Sequence, residues 1–466
     1  MKILLTHGYF LNDDPKEKII MKPYAPLGIL YVSAYLERKG FSNEVFDTTF
    51  STMQKMRDYL LEFKPDVIAI YVNLMTKLNV LEIIKFIKLN LHHTKIVLGG
   101  PEIRYNANDF LNFGADYLVI GEGEETSLEL MIALNEKRYD YIKNIPGLGF
   151  KNQNNEIVFT TEREKLKEVD SLPFPGRDKI NLQLYLNAWK ERHGENAISI
   201  STMRGCPYTC KWCSRAVYGL SYRRRSPENV CDELELIQKE YNPDTLWFVD
   251  DVFTISHKWL NEFNETLMQR NLKIKFECIT RADRMNEEVI KLLKDAGCFR
   301  VWIGAESGSQ KVIDLMDRRV DVDQVRQMIK LTQKNGIQAG TFIMLGYPGE
   351  TEDDIEETIK HLKESNPEYF TITIAYPIKG TELYAELEAE QTNNFNWDSN
   401  SDRDRDFKRT YNRKYYDFAV RRVTNEVNFN KMILNNKYLS KNTFAYKTKS
   451  IVAKLGMLYY RTAGKN

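Results

Sequence analysis

Three of the six cysteines in this chain fall within eight residues, as Cys206, Cys210 and Cys213 in the stretch Arg204-Gly205-Cys206-Pro207-Tyr208-Thr209-Cys210-Lys211-Trp212-Cys213. The spacing is C-x3-C-x2-C, and Gly205 and Pro207 make the stretch a loop rather than a regular element. A loop that tight points three thiolates at one centre, and soft thiolates suit an iron–sulfur cluster. No fourth cysteine lies nearby, so one iron of a [4Fe–4S] cluster is left open to a ligand that is not protein. A structural zinc site wants four ligands, commonly as two separated pairs. His193 and Cys231 are the nearest other candidates, and neither makes a pair. Cys231, Cys278 and Cys298 are isolated and read as small buried hydrophobes.

The chain has 466 residues, room for two or three domains, and a hydrophobic fraction of 42 % that suits ordinary cores. No run of 18 apolar residues exists, and the start MKILLTHGYF turns polar too soon for a signal peptide. Clustered, unpaired cysteines argue for a reducing, cytoplasmic setting. The net charge of +1 conceals an asymmetry: residues 400–466 carry 16 Lys+Arg against 5 Asp+Glu, a net of +11, which leaves 50 against 60, or −10, for residues 1–399. A basic module follows an acidic body.

Over residues 1–145, apolar runs at Lys2–Thr6, 66–72, 95–98 and 117–120 lack clean alternation, with helical spacing at 28–39. Such runs predict a parallel sheet covered on both faces. Gly99-Gly100-Pro101 and Gly121-Glu122-Gly123 follow two of the strands, where open α/β sheets bind ligands. Residues 146–190, with Pro146, Pro173 and Pro175, read as a connector. From Asn196 six further strands are expected, at 197–202, 245–249, 275–279, 300–305, 338–345 and 369–374, with helices between them; Ser226 and Pro227 start one helix as cap and first residue. Six βα units predict an open partial barrel.

The cysteine motif, with Trp212 before its last cysteine, resembles position by position that of the radical S-adenosylmethionine (SAM) enzymes. That resemblance implies a [4Fe–4S] cluster whose open iron chelates SAM and cleaves it to a 5′-deoxyadenosyl radical. It extends to Tyr222-Arg223-Arg224-Arg225-Ser226-Pro227-Glu228-Asn229-Val230, similar to the segment that follows the cluster loop, and to Phe248-Val249-Asp250-Asp251-Val252-Phe253. There the family places the acidic group that holds the SAM ammonium; this chain offers Asp250 or Asp251, and a helix cap is the alternative use of either. Gly304-Ala305-Glu306-Ser307-Gly308-Ser309 resembles the family's G-x-E-S-G-S and implies that Glu306 and Ser307 lie near SAM, with Arg281 of Thr280-Arg281-Ala282-Asp283 a partner for its carboxylate. An internal Arg281–Glu306 ion pair is the competing use. Gly346-Tyr347-Pro348-Gly349-Glu350-Thr351 resembles G-x-P-G-E-T, which implies that Gly346 shapes the wall by adenine; a tight turn that starts a helix reads equally well.

The first domain is similar to the cobalamin-binding domain fused ahead of many radical SAM domains, through Pro26-Leu27-Gly28-Ile29-Leu30-Tyr31, Leu98-Gly99-Gly100-Pro101-Glu102 and Gly121-Glu122-Gly123-Glu124 with Thr126. The D-x-H-x-x-G signature of histidine-ligated cobalamin is absent, and His7 lacks its context. The resemblance implies an α/β protein: a Rossmann-like cobalamin domain (1–145), a linker (146–190), a partial (β/α)6 TIM-type radical SAM barrel (191–385) and a mostly helical basic extension (386–466). It implies the cofactors [4Fe–4S], SAM and cobalamin, with Gly28, Gly99, Gly100, Gly121, Glu122 and Gly123 on the cobalamin side. It further implies a small-molecule or lipid-like substrate and a reductant such as flavodoxin or ferredoxin. The expected reaction is radical C-methylation. Oxidative ring closure, as in the anaerobic magnesium-protoporphyrin ester cyclases, is the runner-up, and a sensor without turnover the alternative of another class. Methylthiotransferases carry three further N-terminal cysteines, and residues 1–205 hold none.

In the tail, Ile451, Val452, Leu455, Leu458 and Tyr459 recur at helical spacing among Lys447, Lys449, Lys454 and Arg461. The safer expectation is a helix docking this stripe on the enzyme; a peripheral contact with an anionic membrane is the alternative. No nucleic-acid module is evident, and no nucleic-acid partner is expected.

Overall fold

The computed structural model describes residues 1–462. Fifteen strands are found among them: β1 (Ile3–His7), β2 (Glu44–Phe46), β3 (Val67–Tyr71), β4 (Lys95–Gly99), β5 (Tyr117–Val119), β6 (Leu148–Lys151), β7 (Ile157–Phe159), β8 (Ala197–Ile200), β9 (Met203–Arg204), β10 (Arg223–Arg224), β11 (Thr245–Phe248), β12 (Phe276–Thr280), β13 (Cys298–Glu306), β14 (Gln338–Leu345) and β15 (Tyr369–Ile374). Contacts divide the chain into two compact units. One comprises Met1–Pro207, Ser214–Leu246 and Phe395–Arg403; the other comprises Tyr208–Cys213, Trp247–Asn394 and Asp404–Asn466. The division passes through the cysteine loop and through β11.

The first unit is built on a seven-stranded sheet of order β2-β1-β3-β4-β5-β6-β7. Strands β1 to β5 are parallel, and β6 and β7 continue the sheet antiparallel. Consecutive strand residues are buried on opposite faces. Leu4, Ile68, Ile70 and Leu98 enter one core, and Ile3, Leu5, Val67 and Val97 enter the other. Both faces are covered by helices, so the strand sequences are apolar throughout. The region expected as a connector therefore contains two strands, and the helix Leu182–His193 besides. Strands of three or four residues, such as Ile157–Phe159, are too short to show the periodicity that signals a strand.

The second sheet has the order β15-β14-β13-β12-β11-β8. β12 to β15 pair in parallel, as six βα units require. β8 meets the start of β11 within the first unit, where the Thr245 N–H donates to the Asn196 carbonyl at 3.0 Å. Ser226 caps the helix Pro227–Glu240 by accepting from the Asn229 N–H, with Pro227 at its first position. The polar tail folds into an antiparallel pair of helices, Arg413–Leu434 and Lys441–Thr462.

A buried ion triad ties the helix Pro227–Glu240 to β8 inside the first unit. Glu233 is fully buried, Arg177 donates to its Oε1 at 2.6 Å, and Arg225 donates to its Oε2. Arg177 also donates to the Ser199 carbonyl (2.9 Å) and Arg225 to that of Ser201 (3.0 Å). Burial pushes the Glu233 carboxyl up, but Arg177 and then Arg225 outweigh it and hold it below the usual range. Glu233→Ala leaves two guanidiniums buried without a counter-charge, a class of change that costs about 3–5 kcal/mol. Urea unfolding of the full-length protein is expected to show that loss, and Arg177→Met on the Glu233→Ala background is expected to recover part of it.

Candidate functional site

In the first unit, the strand order β2-β1-β3-β4-β5 reverses direction between β1 and β3, and ligands of such sheets bind in the crevice at that switch. A cleft of about 270 Å³ lies there, across the carboxyl ends of β1, β3, β4 and β5. All six residues singled out on the first domain, Gly28, Gly99, Gly100, Gly121, Glu122 and Gly123, line it. Gly100 has φ of 108°, and a Cβ there would sit 2.5 Å from the Val72 carbonyl oxygen and 3.0 Å from the Tyr71 ring. Only glycine keeps the strand end this close to its neighbour.

Sequence reasoning missed the cleft's large side chains. Tyr31, Tyr71, Tyr218 and Arg204 also line it. Arg204, two residues before Cys206, is buried; it bonds Glu122 Oε2 at 3.0 Å and forms a short bond to Glu124, while Arg223 reaches Glu122 Oε1 at 2.5 Å. Burial opposes the Arg204 charge, but Glu124, Tyr218 and Glu122 more than restore it and hold its pKa above the ordinary value. Burial raises all three phenols, Tyr71 to about 12, so they stay protonated at neutral pH. No histidine lines the cleft. His7 is buried elsewhere: its Nε2 bonds Asp47 Oδ1 at 3.0 Å, and its Nδ1 accepts from the Tyr9 N–H at 3.1 Å. Both ring nitrogens are thus committed. The glycine-walled, largely apolar cleft fits the flat face of a corrin, with no protein histidine free for its metal.

The cysteine loop enters from β9, which pairs antiparallel with β10. Gly205 has φ of 83°, and a Cβ would lie 2.4 Å from Ser221 Oγ, so the turn before Cys206 closes only on glycine. The rest of the loop, Tyr208–Cys213, belongs to the second unit and is pinned there. The Lys211 N–H donates to Met316 O (3.2 Å), the Leu383 N–H to Lys211 O (2.9 Å), and Thr209 Oγ1 to Asp317 Oδ2 (3.1 Å). Trp212 packs against a cluster of Val312, Met316, Tyr347, Leu383, Leu387 and Phe407.

Two guanidiniums face the buried Cys210 sulfur: Arg281 Nη1 at 3.7 Å and Arg318 Nη1 at 3.8 Å. Each is held elsewhere. Arg281 donates to Asp283 Oδ1 (2.8 Å) and to the Arg318 carbonyl (2.8 Å), and its guanidinium lies 3.9 Å from the centre of the Tyr208 ring. Arg318 donates to Gly304 O (2.7 Å) and lies 3.5 Å from Glu306 Oε1. Arg318, not Arg281, is therefore the ion partner of Glu306. It follows a short helix in a polar run, Asp317-Arg318-Arg319, with no sequence pattern to single it out. A cysteine sulfur faced by fixed cations suits an anionic iron–sulfur cluster. All six cysteines are free thiols.

The other expected residues gather at strand ends of the second sheet. Asp250 and Asp251 follow β11; Asp250 is buried, and Asp251 is raised by desolvation and by the neighbouring Asp250. Neither caps a helix, because the cap of the next helix is Ser256. Glu306 ends β13 with φ of 64°, a left-handed conformation that costs a non-glycine residue free energy and clusters at functional sites. Its burial raises its carboxyl, and Arg318 and Arg281 oppose that rise. Ser307 is buried, and its hydroxyl accepts from the Ser309 N–H at 3.1 Å, so it holds the turn. Gly346 follows β14, and its N–H donates to the buried Glu350 Oε2 at 2.5 Å. Cys231, Cys278 and Cys298 are buried, as expected of core residues.

Comparison with known proteins adds to this geometry. The family model of the radical SAM superfamily matches residues 200–362, and that of the B12 binding domain matches residues 21–131. A protein of Pyrococcus horikoshii described as an uncharacterized methyltransferase is 30 % identical over 82 % of this chain and 82 % of its own length. The anaerobic magnesium-protoporphyrin IX monomethyl ester cyclase of Rubrivivax gelatinosus is 25 % identical over 83 % of this chain and 70 % of its own. Among solved structures, the radical SAM methyltransferase TsrM of Kitasatospora setae, with cobalamin and a [4Fe–4S] cluster bound, matches with a TM-score of 0.69 at 19 % identity, over 83 % of this chain and 74 % of that one. The cobalamin-dependent radical enzyme OxsB, with aqua-cobalamin and SAM bound, matches with a TM-score of 0.67 at 20 % identity, over 78 % of this chain and about half (52 %) of that one. The chain belongs to the family of radical SAM enzymes that carry a B12-binding domain.

Glu350 supplies a test of the site's electrostatics. Burial pushes its carboxyl from 4.5 up to about 8, against the opposing Gly346 hydrogen bond. The folded state thus keeps a proton that the unfolded state loses above pH 4.5, and stability falls as pH rises from about 4.5 to 8. The slope from this one group reaches about 1.4 kcal/mol per pH unit. Glu350→Gln keeps an acceptor for Gly346 and is expected to flatten that part of the stability–pH curve, read by urea unfolding at pH 5 and pH 8.

Proposed function

We propose that this chain is a cobalamin-dependent methyltransferase that acts on an unreactive carbon of a small or lipid-like molecule. Its reductant would be of the flavodoxin or ferredoxin type, and its setting the cytoplasm. The observation that carries the reading is the buried Cys210 sulfur of the C-x3-C-x2-C loop, faced by two fixed guanidiniums. When bound, the cluster and SAM supply a 5′-deoxyadenosyl radical, and cobalamin supplies a transferable methyl group. In this reading residues 1–145 hold cobalamin, 146–190 connect, 191–385 carry the radical chemistry and 386–466 form the extension.

Cys206, Cys210 and Cys213 are the cluster ligands. Arg281 and Arg318 neutralise the sulfur side and orient Cys210 without leaving their own partners. Of the two aspartates, Asp251 is the more exposed and suits the SAM ammonium; desolvation and then the neighbouring Asp250 raise its carboxyl. Glu306, held in its left-handed conformation beside Arg318, presents a second carboxylate. Gly346 forms the wall at the end of β14, Ser307 braces the turn before it, and Trp212 anchors the loop. Gly28, Gly99, Gly100, Gly121, Glu122 and Gly123 hold cobalamin, and the Arg204–Glu122–Glu124 ion network fixes one side of that cleft.

The cyclase relative, similar over most of the chain, supports oxidative ring closure as a second reading. The products of SAM separate the two. With a chemical reductant and cobalamin, the reconstituted enzyme is expected to form both 5′-deoxyadenosine and S-adenosylhomocysteine, the second in a cobalamin-dependent way. 5′-Deoxyadenosine alone favours ring closure, and neither product favours a sensor.

The cobalamin reading has a separate readout. Hydroxocobalamin is expected to co-elute with the full-length protein on gel filtration, and His7→Ala to leave its absorption spectrum unchanged, because His7 is committed to Asp47 and Tyr9. Failure of the wild-type protein to retain cobalamin removes methyl transfer from consideration.

A further inference from the structure

The stripe expected to dock the last helix does not dock. In Lys441–Thr462 the side chains of Ile451, Val452, Leu455 and Tyr459 are 52 %, 57 %, 61 % and 65 % exposed, whereas Ala453 and Met457 are 2 % and 1 % exposed. The inner face is the small and polar one. Phe418 of the preceding helix packs over Gly456, and Ser450 donates to Glu426 at 2.6 Å. Glu426 also accepts from Lys363 (2.6 Å) and Lys447 (3.1 Å), and these bonds hold its carboxyl at about 2 against the effect of burial. The hairpin is thus closed by close packing and an ion cluster, and its apolar stripe faces outward. Phe444 and Leu458 extend the stripe, and the exposed Leu434, at the end of the preceding helix, and Tyr438 and Leu439, in the turn, add to it.

Such a face is rare on a soluble surface and marks an interaction site. Its surroundings commit it to one partner. Lys441, Lys447, Lys449, Lys454 and Arg461 are exposed, and no acidic residue occurs from 441 to 462. The last turn also contributes Tyr460 and Arg461 to a cavity of about 560 Å³ lined by Lys408, Arg413 and the Arg409–Asp406 ion pair. A helix with an apolar stripe between lysines, too polar to cross a bilayer, lies in the plane of an anionic lipid surface with its stripe in the acyl boundary. Among the described residues no helix is long and apolar enough to span a membrane.

We propose that the outward face of Lys441–Thr462 seats this protein on an anionic membrane surface. The placement goes beyond the reaction assigned above and does not depend on it. Full-length protein should co-sediment with vesicles of mixed phosphatidylglycerol and phosphatidylcholine at low salt. It should be released at high salt, where the Debye length falls from about 10 Å at 0.1 M to about 3 Å at 1 M, and it should stay in the supernatant with phosphatidylcholine alone. Val452→Glu/Leu455→Glu changes only exposed positions and should weaken binding at least about tenfold with an unchanged thermal midpoint. Lys449→Ala/Lys454→Ala should keep the fold and lose most of the salt-sensitive part. Absence of wild-type binding overturns the proposal, as does equal binding by both variants. So does a wild-type dimer that Val452→Glu/Leu455→Glu converts to monomer, since a second copy would then cover the face.

Discussion

The second unit is organised around two buried positive charges placed against a sulfur. Arg281 donates to Asp283 and to the Arg318 carbonyl, Arg318 donates to the Gly304 carbonyl beside Glu306, and each still directs one N–H at Cys210. Buried guanidiniums are tolerated only when paired, so their partners fix them before any ligand arrives. Asp283, the Gly304 and Arg318 carbonyls and Glu306 supply those partners, which explains why the ends of β12 and β13 converge on the cysteine loop. Glu306 accepts a strained backbone conformation in the process. Fixed positive charge at the Cys210 sulfur suits an anionic cluster there.

The first unit solves a different problem with the same geometry. Its cleft sits at the carboxyl ends of parallel strands, where ligands of such sheets bind and glycine lets the chain come close. Its walls are apolar and its phenols neutral, so the one strong charge cluster is the Arg204–Glu122–Glu124–Arg223 network. Arg204 is two residues from Cys206, which gives the cleft and the start of the cysteine loop a shared piece of chain.

What could be read from the sequence was local. The cysteine spacing, the glycine turns after β4 and β5, the Ser226 cap and the strand runs at 338–345 and 369–374 are all short-range patterns, and the structure has them in place. What escaped was set by distant partners. Arg318, Arg204, Tyr31 and Tyr218 gain their positions from strands far away in sequence. β6 and β7, of four and three residues, are too short to announce themselves. The terminal helix failed differently: helical spacing located its apolar stripe correctly, but the assumption that such a stripe points inward was wrong. Gly456, Ala453 and Ser450 make the opposite face narrow enough to approach Phe418, and close packing there outweighed burial of the larger side chains.

The proposed function requires that three thiolates hold a cluster with one iron free for SAM. Electron paramagnetic resonance of the anaerobically reconstituted, reduced protein tests it most directly, alongside iron analysis. About four irons per chain are expected, with the signal of a reduced [4Fe–4S] cluster whose g values shift when SAM is added. Cys206→Ala/Cys210→Ala/Cys213→Ala should lose both iron and signal. A cluster that survives in that triple variant, or a wild-type signal indifferent to SAM, would contradict it.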